Sequence, residues 1–578
     1  MPRICTAATT LAHIRTPDPN TTAVVSAPTA PSVRMPTTTI PMVRSAPPSS
    51  RSPTGAQRGN SNALNPIAVT RTSATAIAAR GITVTLLTLR HRPARLDSHV
   101  LTEQLATALR RYSSRLTPPP TPALSVAIHL AVLAVWVSLF LLAFGRGGVF
   151  AWSVGLAYLG YDVALVFFTA WQIRGLTRST DDGRESLVRP SLSVLVAAHN
   201  EAAVLPATIG ALLGQDDPPD EIVIADDGST DATPDVLGTR FGLPQPDVDA
   251  MSRAECGTTS IVWLRVPHGG KARALNAAIT ATDADVIITV DGDTLLDSKA
   301  IGVVRQAFSR DPQLVGVTGI ITPICRPTPV GRVWQYFQTY EYIRNFLGRY
   351  AWSRIDCLQL ISGAFAGFRR TPVVDVGGFD EVCMVEDYEL VHRLRRYAGE
   401  RVLTWRFDVL GGAQARTEAP GSAGAFLRQR RRWFGGFLQT QWWYRAMAGD
   451  RRMGRLGTVM LPVKAVDTVA PLFGLVAFGL LIGYAATWRT DILGPVLLVV
   501  AGKLAIDVVF GVWAMRRYRT WVGDPTRASL LGIAVTTIVE PVTFRLMLHC
   551  GALLGWIAFL GGEQRWGRQH RFGLRGSD

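Results

Sequence analysis

EIVIADDGSTD (221–231) is the stretch that decides the fold. The run EIVIA (221–225) is short and apolar and ends abruptly in carboxylates and turn-forming residues, as a buried strand does on reaching the edge of its sheet. The pattern repeats on either side. LSVLVAA (192–198) ends in His199-Asn200-Glu201, and DVIITV (285–290) ends in Asp291-Gly292-Asp293. IVWLRV (261–266) reads as a fourth strand, and helical stretches such as Ala203–Leu213 and Lys271–Thr280 lie between the strands. Strand and helix alternating in this way predict an open α/β sheet with ligands at the carboxyl ends of parallel strands. Three of the four strands end in polar clusters, which should open on one crevice. Taken singly, DDGST also fits an Asx turn capping the next helix, and DGD fits a surface turn.

The surroundings of this sheet are membranous. The 578-residue chain is 48% hydrophobic with 15 Trp and a mean hydropathy of +0.18, too apolar for an ordinary soluble enzyme. Of the net charge of +16, +11 falls in residues 1–117, so the rest of the chain has no strongly basic core and nucleic acid is not an expected partner. The six cysteines form no CxxC pair, which speaks against zinc ribbons, redox motifs and a disulfide framework. Residues 1–97, rich in Thr, Pro, Ala, Ser and Arg, are predicted to be disordered, and no apolar run near the start resembles a cleavable signal. Leu101, Leu105, Leu109, Tyr112 and Leu116 then give a basic amphipathic helix, expected to lie on an anionic leaflet.

Leu124–Phe144 and Gly148–Ala170 are each long enough to cross roughly 30 Å of hydrocarbon, as are Val469–Trp488 and Ile492–Met515. A further apolar region, Ser529–Gly562, reads as a hairpin or re-entrant element broken at Glu540-Pro541. RRYR (516–519) and RWGRQHR (565–571) flank it, which predicts a cytoplasmic side shared with the sheet domain. The division expected is a tail over 1–117, two spans in 118–174, the α/β domain over 188–420 and an interfacial segment over 421–458. C-terminal spans over 459–562 and a basic tail over 563–578 complete it.

Chemistry follows from spacing. Two carboxylates one residue apart are too close to serve as the separated acid and base of a glycosidase, and they repel unless a hard cation neutralises them. Mg²⁺ or Mn²⁺ on DGD with substrate phosphates fits that need. Only four Lys occur among 60 basic residues, and one of them, Lys271, follows His268-Gly-Gly at the start of a helix, where an anion is favoured. Glu386, Asp387 and Glu389 read either as a site or as the acidic first turn of a helix. The Arg- and Trp-rich run 428–444 reads as an interfacial helix. Lys503 and Asp507, four apart inside a span, can pair, as can Glu540, Arg545 and His549; they serve either a polar conduit or helix pairing.

AAHNE (197–201), DDGSTD (226–231), GGKARALN (269–276), DGD (291–293), VED (385–387) and QRRRW (429–433) together resemble the ordered motif set of membrane-bound family 2 glycosyltransferases. That family includes cellulose, hyaluronan and poly-N-acetylglucosamine synthases. SGAFAGFRR (362–370) resembles the last of these most.

The resemblance implies a GT-A (Rossmann-like) cytoplasmic domain inserted between clusters of transmembrane helices. It implies that Asp226 and Asp227 hold the uracil and ribose of a UDP-sugar beside His199 and Glu201. His199 stands where some relatives have Tyr. Lys271 would contact the nucleotide, Asp291 the donor sugar or metal, and Asp293 the metal. Asp387 would be the general base, with Glu386, Gln429, Arg432 and Trp433 serving the diphosphate and acceptor. The enzyme implied is an inverting, processive transferase that moves N-acetylglucosamine onto a growing β-linked glycan at the plasma membrane, with export subunits as possible partners. Single transfer to a lipid acceptor, or a non-catalytic transporter or glycan-binding protein, are the alternatives.

Overall fold

The computed structural model describes residues 12–13, 98–177, 188–523 and 529–562. The readings made for the rest of the tail 1–97, and for the segment 563–578 with its RWGRQHR run, lie outside the described residues.

Among the described residues, ten strands form one sheet: β1 (Ala12–His13), β2 (Leu192–Ala198), β3 (Glu221–Asp227), β4 (Ala250–Cys256), β5 (Thr259–Val266), β6 (Val286–Asp291), β7 (Thr294–Leu296), β8 (Leu314–Ile324), β9 (Phe365–Arg369) and β10 (Arg406–Glu418). Their order is β1-β4-β5-β3-β2-β6-β9-β8-β10-β7. The four strands expected from sequence are the parallel block β5-β3-β2-β6. Leu192, Val194, Leu195 and Val196 of β2 are fully buried, as helices on both faces require. Beyond β6 the sheet is mixed, because β9 runs antiparallel to both β6 and β8 while β10 runs parallel to β8.

The chain moves outward from β2 to β3 and β5, then returns across β2 to β6. The loops after β2 and β6 therefore diverge, leaving a crevice at the carboxyl ends of neighbouring strands. The three predicted polar clusters all sit at that edge.

The helix Ser98–Tyr112 corrects one expectation. Its apolar stripe meets protein rather than a leaflet: Leu101 and Leu105 are each 4% exposed and belong to the core of the sheet domain. Gly377 makes this docking possible, since a Cβ there would lie 2.2 Å from the backbone nitrogen of Leu109. Arg115 fastens the far end with two 2.8 Å bonds to buried Asp380. Cys325, Cys357, Cys383 and Cys550 are free thiols.

Among the described residues, four helices are long and apolar enough to cross a membrane: Ala123–Gly145, Gly148–Ile173, Leu456–Ala486 and Thr490–Val522. Leu531–Val542 and Phe544–Leu560 form a pair bent by 48°, which would make a fifth span if counted as one. The bend falls at Thr543, just past the predicted Glu540-Pro541 break.

Helix Ala423–Trp443, which carries QRRRW, lies against Phe544–Leu560 with almost no space between backbones. A Cβ on Gly555 would come within 2.5 Å of Phe434 Cβ and 2.9 Å of the Gly435 nitrogen. Gly555→Val should therefore push the helices apart at an overpacking cost of about 1–3 kcal/mol. Thermal inactivation of detergent-solubilised protein should shift down by several degrees; an unchanged midpoint would show that the contact tolerates bulk.

Candidate active site

Backbone geometry pulls the strand-end clusters together. Asn200, in the left-handed region at φ 57°, turns its side chain across the crevice so that Oδ1 accepts from the Thr230 and Asp231 nitrogens at 2.8 and 3.1 Å. The end of β2 is thereby tied to the loop after β3. On the other side, buried Glu201 packs on Gly292, where a Cβ would lie only 1.6 Å from Glu201 Oε2. Thr208 Oγ1 donates to the Gly292 carbonyl at 2.7 Å, which fixes the DGD turn.

Asp226 and Asp227 sit side by side but differ in their bonding. Asp226 is fully buried; one oxygen accepts from the Ser229 nitrogen at 2.8 Å, and Oδ2 has no hydrogen-bond partner among the described residues. Asp227 is occupied by the loop 268–270, accepting from the Gly269 and Gly270 nitrogens at 2.7 and 2.9 Å and facing His268 Nδ1 at 2.9 Å. His199 stacks on His268 with ring centroids 4.3 Å apart, and its Nδ1 meets the Asp227 carbonyl at 2.7 Å. Ligand atoms of His199, Asp227 and His268 lie within 4.8 Å of one another, though hydrogen bonds already engage them.

Gly270, at φ 96°, turns the loop into helix Lys271–Ala281 and delivers Lys271 to the centre of the crevice. Lys271 Nζ lies 2.6 Å from Asp291 and 3.1 Å from Glu386. Burial works against its charge, but Asp291, Glu386 and Asp387 hold the ammonium well above the usual lysine range. A continuous set of contacts thus runs from Asp227 through the loop to Lys271, and on to Asp291 and the VED segment.

The next residue, Asp387, opens helix Glu386–Glu400. Its Oδ2 accepts from the Gly363 nitrogen at 2.6 Å and its Oδ1 from the Tyr388 nitrogen at 2.8 Å. Burial and the Glu386 charge push its carboxyl up to about 6, while Lys271 and the two amides work the other way. Asp293 is buried; desolvation, Asp291 and Glu418 push it up to about 8, and Thr417 Oγ1 donates to it at 3.3 Å. This crowd of carboxylate oxygens suits a hard divalent cation, whose charge would remove the repulsion. Asp291 is turned to Lys271.

Arg432 feels Glu386, Asp291 and Asp387, although burial lowers its pKa. Trp433 is turned away from the crevice: the Arg430 guanidinium covers its ring at 4.3 Å, and it lines a cavity of about 540 Å³ on the membrane-helix side. Gln429 Oε1 is buried with no hydrogen-bond partner among the described residues. Asp162, Asp507, Glu540, Arg545 and His549 also line the cavity. Lys503 bridges Asp162 and Asp507, and Arg545 lies between Asp162 and Glu540, so the expected pairing occurs.

His268, Glu418, Arg349 and the Gly363 amide were not foreseen. Nothing local in the sequence marks them, because each joins the site through contacts made far along the chain.

A mixed α/β sheet with acidic strand ends is joined to long apolar helices on both sides. Residues 190–436 match Glycosyltransferase like family 2. Relatives include the poly-beta-1,6-N-acetyl-D-glucosamine synthase of Staphylococcus epidermidis, 27% identical over 249 residues, which are 42% of this chain and 53% of that protein. The synthase of the same name from Staphylococcus aureus is 27% identical over 286 residues, covering 49% and 61%. The chain thus spans between half and two thirds of the length of these relatives. A mannosyltransferase from Pyrobaculum calidifontis, solved in complex with GDP-Man and Mn²⁺, superposes with a TM-score of 0.46 at 18% identity, covering 67% of this chain and 99% of that one.

Proposed function

We propose that the protein is an inverting, processive β-glycosyltransferase of the cell membrane, transferring N-acetylglucosamine from a UDP-sugar to a growing glycan. One observation carries this reading: Asp227, the loop 268–270, Lys271, Asp291 and Glu386 form a single chain of contacts, and Asp387 follows Glu386 directly.

Asp387 takes the proton from the acceptor hydroxyl as that oxygen attacks the anomeric carbon, and two backbone amides hold it in position. Asp226, with a buried oxygen free to accept, reads the base or ribose beside the stacked histidines. Asp227 keeps the loop 268–270 rigid under the nucleotide. Asp293 would hold Mg²⁺ or Mn²⁺, which when bound would supply charge neutralisation at the diphosphate. Lys271 and Arg432 offset the acidic cluster, and Arg432 with Gln429 reaches toward the departing diphosphate.

The distant kinship with the staphylococcal synthases supports N-acetylglucosamine as the sugar, and RRYR (516–519) supports a cytoplasmic site. The cavity behind Trp433 supports passage of the product into the membrane, to which export subunits would attach. Membranes containing the protein, incubated with a panel of radiolabelled UDP-sugars, should build polymer from UDP-N-acetylglucosamine; linkage-specific hydrolases would identify it. EDTA should stop the reaction, and Mn²⁺ or Mg²⁺ should restore it. Incorporation from no UDP-sugar, or incorporation unaffected by EDTA, would contradict the reading.

A base held near 6 must lose its proton to work. The rate should therefore fall about tenfold per pH unit below 6 and be level above it, until another group titrates. A pH–rate profile of kcat/KM for the donor checks this, and an acid limb near 4 would point to an unburied base.

A further inference from the structure

Residues 377–387 run from Gly377, the glycine that admits helix Ser98–Tyr112, to the candidate base Asp387, and distant parts of the chain hold them along their length. Phe379 exchanges bonds of 2.9 and 2.7 Å with Asn276, on the helix that Lys271 opens. Val385 packs on Gly436 of helix Ala423–Trp443, where a Cβ would lie 2.6 Å from it. The Gly363 amide holds Asp387 itself. Between these points the support comes from a turn that precedes the first membrane-type helix.

Nε and Nη2 of Arg115 donate to the two oxygens of Asp380 at 2.8 Å each, and Asp380 is fully buried. One of those oxygens also accepts from the Val382 nitrogen at 3.0 Å, so the carboxylate shapes the turn that leads to Asp387. Ser113 and Ser114 are buried beside it. Ser114 Oγ accepts at 2.7 Å from Arg396, on the helix Glu386–Glu400 that carries the base. The Ser114 backbone nitrogen faces the hydroxyl of Tyr444, which donates to Glu389 of that same helix at 2.6 Å. Glu389 pairs with Arg393, whose guanidinium donates to the Val376 and Gly378 carbonyls at 2.7 Å. Residues 113–115 thus touch the loop before Asp387, the helix after it, and Tyr444 at the end of the QRRRW helix. A fork bonded at both teeth fixes direction as well as distance, which an apolar stripe alone does not.

We propose that Arg115 is a positioning residue for sugar transfer, aligning Asp387 through Asp380. The inference rests on the transferase reading above and adds a residue from before the membrane-type helices. The donor cluster at Asp226 and Asp227 is built from other contacts, so Arg115 governs the chemical step rather than nucleotide binding.

The test uses the full chain in detergent. Arg115→Met combined with Asp380→Asn removes both charges, so no bare carboxylate stays buried and folding should be preserved. In this double variant kcat with UDP-N-acetylglucosamine should fall about 10- to 100-fold, the cost of a small misplacement near reacting atoms. The donor KM, and UDP affinity by calorimetry, should stay within about twofold. Amide hydrogen exchange over 380–387 should quicken about tenfold or more, because the tether that closes the segment is gone. Arg115→Lys keeps the charge but not the fork, and its kcat should lie between, about threefold below wild type. A purely structural role gives a different pattern, in which the rate returns with the stability of the double variant. That result, or unchanged exchange over 380–387, would overturn the proposal. If the double variant fails to fold, a wild-type kcat in Arg115→Lys would overturn it instead.

Hydrogen exchange also separates this inference from the reading beneath it. Faster exchange over 380–387 in variants of a protein that transfers no sugar would keep the Asp380 tether and sink the transferase. Full transfer and unchanged exchange in the double variant would keep the transferase and remove Arg115 from its mechanism.

Discussion

Asp387→Asn should lower the rate of sugar transfer by a factor of about 10²–10⁴, the usual contribution of a general base, while UDP affinity changes no more than a few-fold. The substitution keeps the volume of the side chain, and its amide oxygen can still accept from the Gly363 or Tyr388 nitrogens that hold the carboxylate now. What disappears is the capacity to accept a proton, together with one negative charge beside Lys271. Transfer assays and UDP calorimetry on the same preparation read the two effects separately. Turnover that persists would move the base elsewhere, and Glu386, bound to Lys271, is the nearest alternative. A parallel collapse of UDP binding would mean that Asp387 supports the nucleotide pocket rather than the chemistry.

Lys271→Met should be damaging in two ways. The ammonium joins Asp291 and Glu386, and Asp387 adds a third negative charge beside it. Breaking a buried ion pair from one side typically costs about 3–5 kcal/mol. Lys271 is 19% and Asp291 25% exposed at the side chain, so solvent screening should bring the figure to the lower end. The second effect is electrostatic. Lys271 lowers the Asp387 pKa, so its loss should carry the acid limb of the pH–rate profile from near 6 to higher pH. Lys271→Arg should restore much of the stability because it keeps the charge. A profile that does not move in Lys271→Met would show that the lysine does not govern the base.

The apolar runs that end in carboxylates were readable as strands because a strand buried on both faces has few sequence alternatives. β2, β3, β5 and β6 appear within a residue or two of where their patterns lie. The existence of the spans was readable because hydrocarbon thickness sets helix length, but not every boundary was: the third span, expected from Val469, begins at Leu456 and runs on through Pro471. Helix Ser98–Tyr112 was misread for a reason the pattern cannot resolve. An apolar stripe says that one face is covered, but not whether lipid or protein covers it, and Gly377 supplied the protein.

Within the candidate site, the sequence by itself determined which carboxylates stand at strand ends, and that a rare lysine opens a helix beside them. Only the tertiary structure decided their partners. Lys271 meets Asp291 and Glu386 across separations of 20 and 115 residues, and the Gly363 amide reaches Asp387 across 24. Those contacts depend on strand order and on the turn at Gly270, which bring distant segments to one sheet edge. Periodicity along the chain reports which way a residue faces, whereas its neighbour from another strand is fixed only when the sheet closes around it.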